Sequence, residues 1–210
     1  MDKNLSATIQ KHIELTVQAL RKNRFEAHYI PTVQELHSKI KQLMPSGCSC
    51  SLGGSVTLDE TGVRQLVETG GYNYYDRYAP GIDAAAVMRQ ALSCDVYLTG
   101  TNAITADGKL YNVDGRGNRV AAICFGPSKV IVVAGYNKIV PDIEAARERV
   151  RRIAAPANVL RLGRGTPCGQ VGICQDCASD KRICCSEVVT SRQIVPERVC
   201  VLILSEQYGY

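Results

Sequence analysis

Apolar residues occur along the chain in two patterns, a helical periodicity and short continuous runs, which predict helices alternating with strands. Between residues 5 and 20 they repeat every three or four positions, which predicts an amphipathic helix. Three further helices are predicted at residues 32–43, from residue 57 onward, and at residues 83–92. Thr32 and Thr57 each open a Thr-x-x-Glu capping box. A last periodic helix follows Pro141 and is expected to end at Pro156.

Short apolar runs between these helices predict strands at residues 25–30, 48–52, 72–78, 95–98, 121–125, 130–134 and 199–204. Runs such as Ile131-Val132-Val133 are continuous, which is typical of parallel strands covered on both faces. Residues 99–118 instead carry hairpin signals, with turns expected at Asp107-Gly108 and Asp114-Gly115. The sequence therefore predicts an α/β fold with a mainly parallel sheet and helices on both faces. We expect one domain over residues 1–210, with a small cysteine-rich insertion at residues 163–187 and a last strand that returns to the main sheet.

Composition narrows the class of protein. The 210 residues are 45% hydrophobic and 21% charged, as in ordinary globular proteins. The formal net charge of +5 forms no basic stripe with interleaved aromatic residues, so nucleic-acid binding is not expected. No apolar run is long enough to span a bilayer, and none follows Met1 as a secretory signal would. We expect a cytoplasmic protein without membrane contact, and whether it forms a homo-oligomer stays open.

Cysteines are the residues that most directly suggest metal or redox chemistry. Ten cysteines in a reducing compartment argue against a disulfide framework. Four of them have the spacing C-x5-C-x2-C-x6-C: Cys168, Cys174, Cys177 and Cys184. The close pair at Cys174 and Cys177 suits zinc or an iron–sulfur cluster, although the longer gaps match neither the zinc ribbon nor the common ferredoxin. Neighbouring basic residues are expected to favour thiolates: Arg161, Arg164, Lys181 and Arg182. A reduced loop without metal is the alternative.

Two polar segments directly follow predicted strands. The first, Gly53-Gly54-Ser55, leads into a helix, where backbone N–H groups favour a phosphate or carboxylate, unless it is only a tight turn. The second begins at Thr99, and ligands of open α/β sheets bind outside the carboxyl ends of strands. Gly115-Arg116-Gly117 is not expected to start a helix, so a dinucleotide fingerprint is not predicted. We expect a small anionic metabolite to be bound by Gly53, Gly54, Ser55, Thr99, Gly100, Asn102, Asn112, Asp114, Gly115, Asn118, Arg119 and Lys129.

These segments resemble the LUD-domain family, the lactate-utilisation proteins, over nearly the whole chain. The matching stretches are residues 53–58, 99–119, 125–135 with Asn137-Lys138, and 167–184. The resemblance implies a fold of the phosphosugar-isomerase and CoA-transferase type (NagB/RpiA/CoA-transferase-like). It also implies a role in the oxidation of lactate to pyruvate, beside partner subunits that carry iron–sulfur clusters. Many members of the family have no assigned reaction, so whether this chain is an enzyme stays open.

The chain also departs from related proteins at two places. It is more distantly similar to methylthioribose-1-phosphate isomerase and to regulatory subunits of the translation-initiation exchange factor, which have Gly-Ala-Asp where this chain has Gly100-Thr101-Asn102. An amide cannot act as the general acid or base of an isomerase, which leaves a regulatory subunit without turnover as an alternative. The chain also lacks the C-x2-C-x2-C-x3-C-P run of the larger lactate-utilisation proteins. An electron-relay subunit that uses the four spaced cysteines is a second alternative.

Overall fold

The computed structural model describes residues 2–210 and contains ten strands and nine α-helices in that range. The strands are β1 (Glu26–Ile30), β2 (Ser49–Leu52), β3 (Asn73–Tyr75), β4 (Val96–Thr99), β5 (Ala103–Thr105), β6 (Leu110–Asp114), β7 (Lys129–Gly135), β8 (Ile139–Val140), β9 (Ser186–Thr190) and β10 (Val199–Leu204). The helices are α1 (Lys3–Lys22), α2 (Val33–Leu43), α3 (Val56–Glu60), α4 (Val63–Thr69), α5 (Ala84–Gln90), α6 (Asn118–Cys124), α7 (Ile143–Arg149), α8 (Ala155–Arg161) and α9 (Pro167–Val171). None of these helices is long and apolar enough to cross a bilayer.

The main sheet has six strands in the order β1-β10-β7-β4-β2-β3, and every neighbouring pair is parallel. Apolar residues of α1 and α6 pack on one face, where Ile13 and Ile123 share a cluster with Val132 of β7. Helices α2, α3 and α4 cover the other face, where Leu58 shares a cluster with Ile131. Ile131 and Val132 alternate between the two faces because successive strand side chains point to opposite sides. The predicted mainly parallel sheet with helices on both faces is therefore confirmed.

The last strand, β10, returns to the main sheet, as the sequence predicts, and lies between the edge strand β1 and β7. Its register pairs Val199 with Val130 and Leu204 with Gly135. All six residues of β10 are buried, which explains why this run is wholly apolar.

A second sheet of four strands, in the order β8-β5-β6-β9, was not predicted. Strands β5 and β6 form the expected antiparallel hairpin, and its turn lies at Asp107-Gly108. Tyr111 of this sheet packs against Ala146 of α7 and against Val150, the residue after that helix. The prediction of a second hairpin turn at Asp114-Gly115 is wrong, because these residues end β6 and lead into α6.

Helix α6 replaces the strand predicted at residues 121–125 and begins where no helix start was expected. Gly117 has a left-handed backbone with φ of 75°, which turns the chain from β6 into the helix. The Asp114 carboxylate then accepts hydrogen bonds from the backbone N–H groups of Arg119 (2.9 Å) and Val120 (3.0 Å). These two bonds satisfy N–H groups that an α-helix leaves free at its start.

Two further helix boundaries differ from the prediction. Pro156 does not end the helical segment, because residues 150–154 form a wider π turn and the chain continues through α8 to Arg161. The wider turn accommodates a proline that has no N–H to donate to the preceding turn. The capping box at Thr57 is also wrong, because Ser55 caps α3 and Thr57 lies inside that helix.

Candidate functional site

A cleft of about 710 Å³ opens where the chain leaves the carboxyl ends of β2 and β4. We call it the strand-end cleft. Its walls come from the β2–α3 and β4–β5 connections, the β6–α6 connection, helix α8, and residues 180–185 of the cysteine-rich segment. Its size lies within the range of about 300–1,000 Å³ that is usual for small-molecule sites.

Eight of the twelve predicted ligand residues line this cleft: Gly54, Ser55, Gly100, Asn102, Asp114, Gly115, Asn118 and Arg119. The two polar segments touch each other, since a Cβ built on Gly100 would lie 2.6 Å from Ser55 Oγ. The sequence signals that found these residues are the glycines and amides that follow β2 and β4. The structure therefore brings both predicted segments into one cavity.

The other four predicted residues do not line the cleft. The N–H of Gly53 donates to Leu98 O (2.8 Å) and continues the sheet, while Thr99 and Asn112 are fully buried. Lys129 stands at the first residue of β7, so it lies at the opposite end of the sheet from the cleft. Its Nζ donates to Glu26 Oε2 (2.6 Å), so this lysine belongs to a separate ion-pair group.

Arg119 joins the segments that form the wall of the cleft, and its guanidinium hydrogen bonds are already made within the protein. Its guanidinium donates to Asp114 Oδ1 (2.9 Å), to the side chains of Asn112 and Asn102, and to the carbonyl of Gly100. These acceptors come from the segments that follow β4 and from β6. Because its donors are used inside the protein, Arg119 shapes the cleft and is not a free ligand for an anion. The carboxamide oxygen of Asn102 is occupied as well, which leaves the amide nitrogen for a ligand.

Basic side chains dominate the lining of the cleft: Arg77, Arg116, Arg119, Lys138, Arg161, Arg164 and Arg182. The only carboxylate side chains in the lining are Asp114 and Asp180. Arg119 pairs with Asp114 and Arg182 pairs with Asp176. Within residues 2–210, the four other arginines of the lining have no ion-pair partner among the Asp and Glu side chains, so the cleft has a positive potential.

Gly54 lies between two of these cations. A Cβ built on Gly54 would lie 2.6 Å from Arg77 Nη2 and 3.7 Å from Arg161 Nη2. Arg77 also packs on the ring of Tyr78, with its Cζ 4.8 Å from the ring centroid. The buried Nε of Arg77 has no hydrogen-bond partner in the part of the chain that the structure describes. An anion beside Gly54 would therefore lie close to two guanidinium groups.

Sequence reasoning did not predict any of the basic residues of the cleft as ligands except Arg119. Arg77 follows β3 and Arg161 ends α8, so the two residues are far apart in the sequence and no local motif joins them. Lys138 ends the turn after β7 and is only 3% exposed. Burial, followed by repulsion from Arg149 and Arg119, lowers the pKa of Lys138 to about 7.

The four spaced cysteines line one small hollow, which we call the cysteine hollow: Cys168, Cys174, Cys177 and Cys184, with Ala155, Val159 and Thr166. Arg182 fixes its rim by donating to the carbonyls of Cys177 (2.7 Å) and Cys184 (2.9 Å). Burial raises the pKa of Cys184; Arg182 lowers it, as expected of a basic neighbour, but by less, so the net shift favours the neutral thiol.

The spacing of the thiols bears on which metal group fits. In residues 2–210, the one set of three potential ligands with donor atoms within 4.8 Å of one another is Glu26, His28 and Cys200. A tetrahedral zinc ion would hold its sulfurs about 3.8 Å apart, so the four spaced thiols would have to move inward to bind it. A cluster of several iron atoms holds its thiolates farther apart than zinc does, but the hollow has a volume of only about 10 Å³, so the segment would have to open to admit a cluster.

The Glu26, His28 and Cys200 group is an ion-pair network and not a metal site. The Glu26 carboxylate forms ion pairs with Lys129 Nζ (2.6 Å) and Lys39 Nζ (3.3 Å), so its oxygens already have cationic partners. Burial opposes ionisation of Glu26, but hydrogen bonds from Lys129 and His28 outweigh it and bring the pKa down to about 2. Burial also raises the pKa of Cys200 far above its usual range, which disfavours the thiolate that a metal needs.

Comparison with known proteins gives the family. The LUD-domain family model matches residues 13–204. No curated protein matches. A DUF162 family protein from Deinococcus radiodurans has a TM-score of 0.50 and 15% identity, over 95% of this chain and 97% of that chain.

Two more distant structures match about half of the chain. eIF2B delta from Chaetomium thermophilum has a TM-score of 0.34 and 21% identity, over 51% of this chain and 48% of that one. Ribose 5-phosphate isomerase from Plasmodium falciparum has a TM-score of 0.31 and 16% identity, over 52% of each chain. These two likenesses are too weak to carry an argument about function. The match to the family model covers nearly the whole chain, and the protein therefore belongs to the LUD-domain family.

Proposed function

We propose that the strand-end cleft binds a small anionic metabolite, an organic acid or a phosphorylated compound, and that the protein supports the oxidation of lactate to pyruvate. The observation that carries the proposal is the excess of basic side chains in the cleft over its two carboxylates. Unpaired cations in a partly enclosed cavity repel one another, and an anion that enters relieves this repulsion. The role in lactate oxidation rests on family membership.

The groups beside Gly54 supply the first contacts of the anion. Within residues 2–210, the backbone N–H groups of Gly54 and Ser55 have no hydrogen-bond acceptor. Arg77 and Arg161 flank the same position, and the Asn102 amide nitrogen is available on the facing wall. Amide donors set the orientation of a carboxylate or phosphate, while the guanidinium groups supply most of the attraction.

The proposal is tested by calorimetry with lactate, pyruvate and ribose 5-phosphate. We expect saturable binding of at least one of them, and Arg161→Met should weaken its affinity about 10- to 100-fold, the usual effect of losing a charged hydrogen bond. The matched control is Arg192→Met, because Arg192 lies outside the cleft and donates to Lys22 O. Absence of binding by all three compounds, or equal weakening by both substitutions, contradicts the proposal.

We propose, as a second function, that the four spaced cysteines of the hollow bind a metal group, either zinc or an iron–sulfur cluster. The observation in favour is that all four of the spaced cysteines line one hollow. They would supply the ligands, and the cluster would supply one-electron transfer. Anaerobic purification followed by iron and zinc analysis and a visible spectrum tests this function. Cys177→Ala should abolish the metal content and Cys124→Ser, an exposed cysteine elsewhere, should not; a colourless, metal-free wild-type protein contradicts it.

A further inference from the structure

Three side chains that donate hydrogen bonds gather around one point of the strand-end cleft, next to Gly54. A Cβ built on Gly54 would lie 2.6 Å from Arg77 Nη2, 3.2 Å from the hydroxyl oxygen of Tyr78 and 3.7 Å from Arg161 Nη2. All four residues line the cleft. The side chains meet at this point because glycine leaves open the space that a Cβ would fill. We call Arg77, Tyr78 and Arg161 the three-donor subsite.

Each of the three side chains keeps hydrogen-bond donors that the protein does not use. Arg77 Nη2 donates to the hydroxyl oxygen of Tyr78 (2.7 Å), which leaves the hydroxyl hydrogen free to donate to a ligand. The buried Nε of Arg77 has no partner in the part of the chain that the structure describes. Arg161 donates to Asn158 Oδ1 through Nε (3.0 Å) and Nη2 (2.8 Å), which uses two of the five N–H groups of a guanidinium.

The positive charge of the subsite is not balanced by the protein. Arg77 and Arg161 lie beside the same glycine, and neither forms an ion pair with an Asp or Glu side chain of residues 2–210. Two guanidinium groups this close repel each other. A monocarboxylate compensates only one of them, whereas a phosphate monoester carries nearly two negative charges on a single group at neutral pH. A dicarboxylate also carries two charges, but it places them on two separate groups.

We propose that the three-donor subsite binds a phosphoryl group, and that the ligand of the strand-end cleft is a phosphate monoester. This inference rests on the proposed anion-binding function and narrows its ligand to one chemical class. A phosphoryl group has three strongly accepting oxygens, which match donors that arrive from three side chains. The planar guanidinium of arginine also binds phosphate through two parallel hydrogen bonds. The cleft, with a volume of about 710 Å³, has room for the organic part of the ester.

Calorimetry with glycerol 3-phosphate, malate and lactate tests the inference. We expect glycerol 3-phosphate to bind about tenfold or more tightly than either organic acid. Its affinity should also rise by up to about tenfold between pH 5 and pH 7, because the second proton of a phosphate monoester leaves near pH 6. Sulfate has the shape of phosphate and keeps both charges over this range. Any change in sulfate affinity therefore measures titration of the protein, including Lys138, and corrects the phosphate curve.

A single substitution tests the assignment of the subsite. Tyr78→Phe removes the hydroxyl but keeps the ring on which Arg77 packs, and the side chain is 53% exposed, so the variant should fold. It should bind glycerol 3-phosphate about tenfold more weakly, the usual effect of losing one hydrogen bond to a charged group. Tyr136→Phe is the matched control, because its hydroxyl accepts from Gln207 outside the cleft lining. This control should leave the affinity unchanged.

The outcomes separate this inference from the function on which it rests. Tighter binding of glycerol 3-phosphate that Tyr78→Phe weakens supports both. Binding of lactate or malate as tightly as glycerol 3-phosphate overturns the phosphate class and leaves the anion-binding function standing. Equal affinity of Tyr78→Phe and wild type for glycerol 3-phosphate overturns the three-donor subsite. Absence of binding by all of these anions overturns the two together.

Discussion

Replacing Lys138 with methionine should stabilise the protein at neutral pH and lose that effect in alkali. Methionine has a similar length and carries no charge, so it removes the buried amine while filling much of its space. The folded protein lowers the pKa of Lys138 from 10.5 to about 7. The amine therefore binds a proton more tightly in the unfolded protein than in the folded protein. Below pH 10.5 this difference stabilises the unfolded protein and lowers the free energy of unfolding.

The size of the effect follows from this pKa difference. At about 1.4 kcal/mol for each pH unit, Lys138 lowers the free energy of unfolding by about 4–5 kcal/mol at pH 7. The cost falls steadily as the pH rises and vanishes above pH 10.5. Methionine also loses the hydrogen bond to a main-chain oxygen of Tyr210, the last residue of the sequence, and this bond to a carboxylate is worth about 2 kcal/mol. Lys138→Met should thus be more stable than wild type by about 2 kcal/mol at pH 7 and about equal to it near pH 9.

Urea denaturation of both proteins at a series of pH values between 6 and 10 measures this difference directly. The difference between the two proteins isolates Lys138, because other groups that titrate in this range are common to both. A substitution that destabilises by the same amount at every pH would refute the reasoning. It would mean that Lys138 is charged and compensated in the folded protein.

Three further predictions concern the walls and edges of the fold. Asp114→Asn should lower the free energy of unfolding by about 3 kcal/mol in urea, because it leaves the buried Arg119 guanidinium unpaired; a loss below 1 kcal/mol would contradict this. Gly108→Ala should cost about 3 kcal/mol, since its φ is +83° and the new Cβ would lie 2.4 Å from the Ala19 carbonyl carbon. Gly47→Ala, with φ of +70° and open space around it, should cost only about 1 kcal/mol, and equal losses would remove the packing explanation. Glu26→Gln should flatten the acid limb of the stability curve, since Glu26 stabilises above pH 4.5 and loses this contribution as the pH falls towards 2; an unchanged limb between these values would contradict the ion-pair network.

The main sheet was predictable because its strands are buried on both faces and therefore apolar throughout. The second sheet was not, because β9 pairs with a strand more than seventy residues earlier and only alternate residues of it are half-buried. Helix α6 was missed because its apolar residues look like a strand, and the deciding feature is the cap that Asp114 provides after Gly117 turns the chain. Local patterns do not contain such contacts.

The candidate site, like the fold, could be predicted from the sequence only in part. The glycine and amide residues after β2 and β4 were predicted because they follow strands directly, and a parallel sheet brings strand ends together. The cations that give the cleft its charge come from separate loops and helices and meet only in the fold. Arg119 was expected to bind the ligand, but the structure uses its donors inside the wall. Whether a basic residue is free or occupied depends on its partners and not on its position in the sequence.

A crystal structure of the protein with its tightest-binding anionic metabolite tests the central claim most directly. We predict that the carboxylate or phosphate lies beside the Gly54 amide, between Arg77 and Arg161, with Asn102 on the facing wall. A ligand bound elsewhere on the surface, with the strand-end cleft filled only by solvent, would contradict the account.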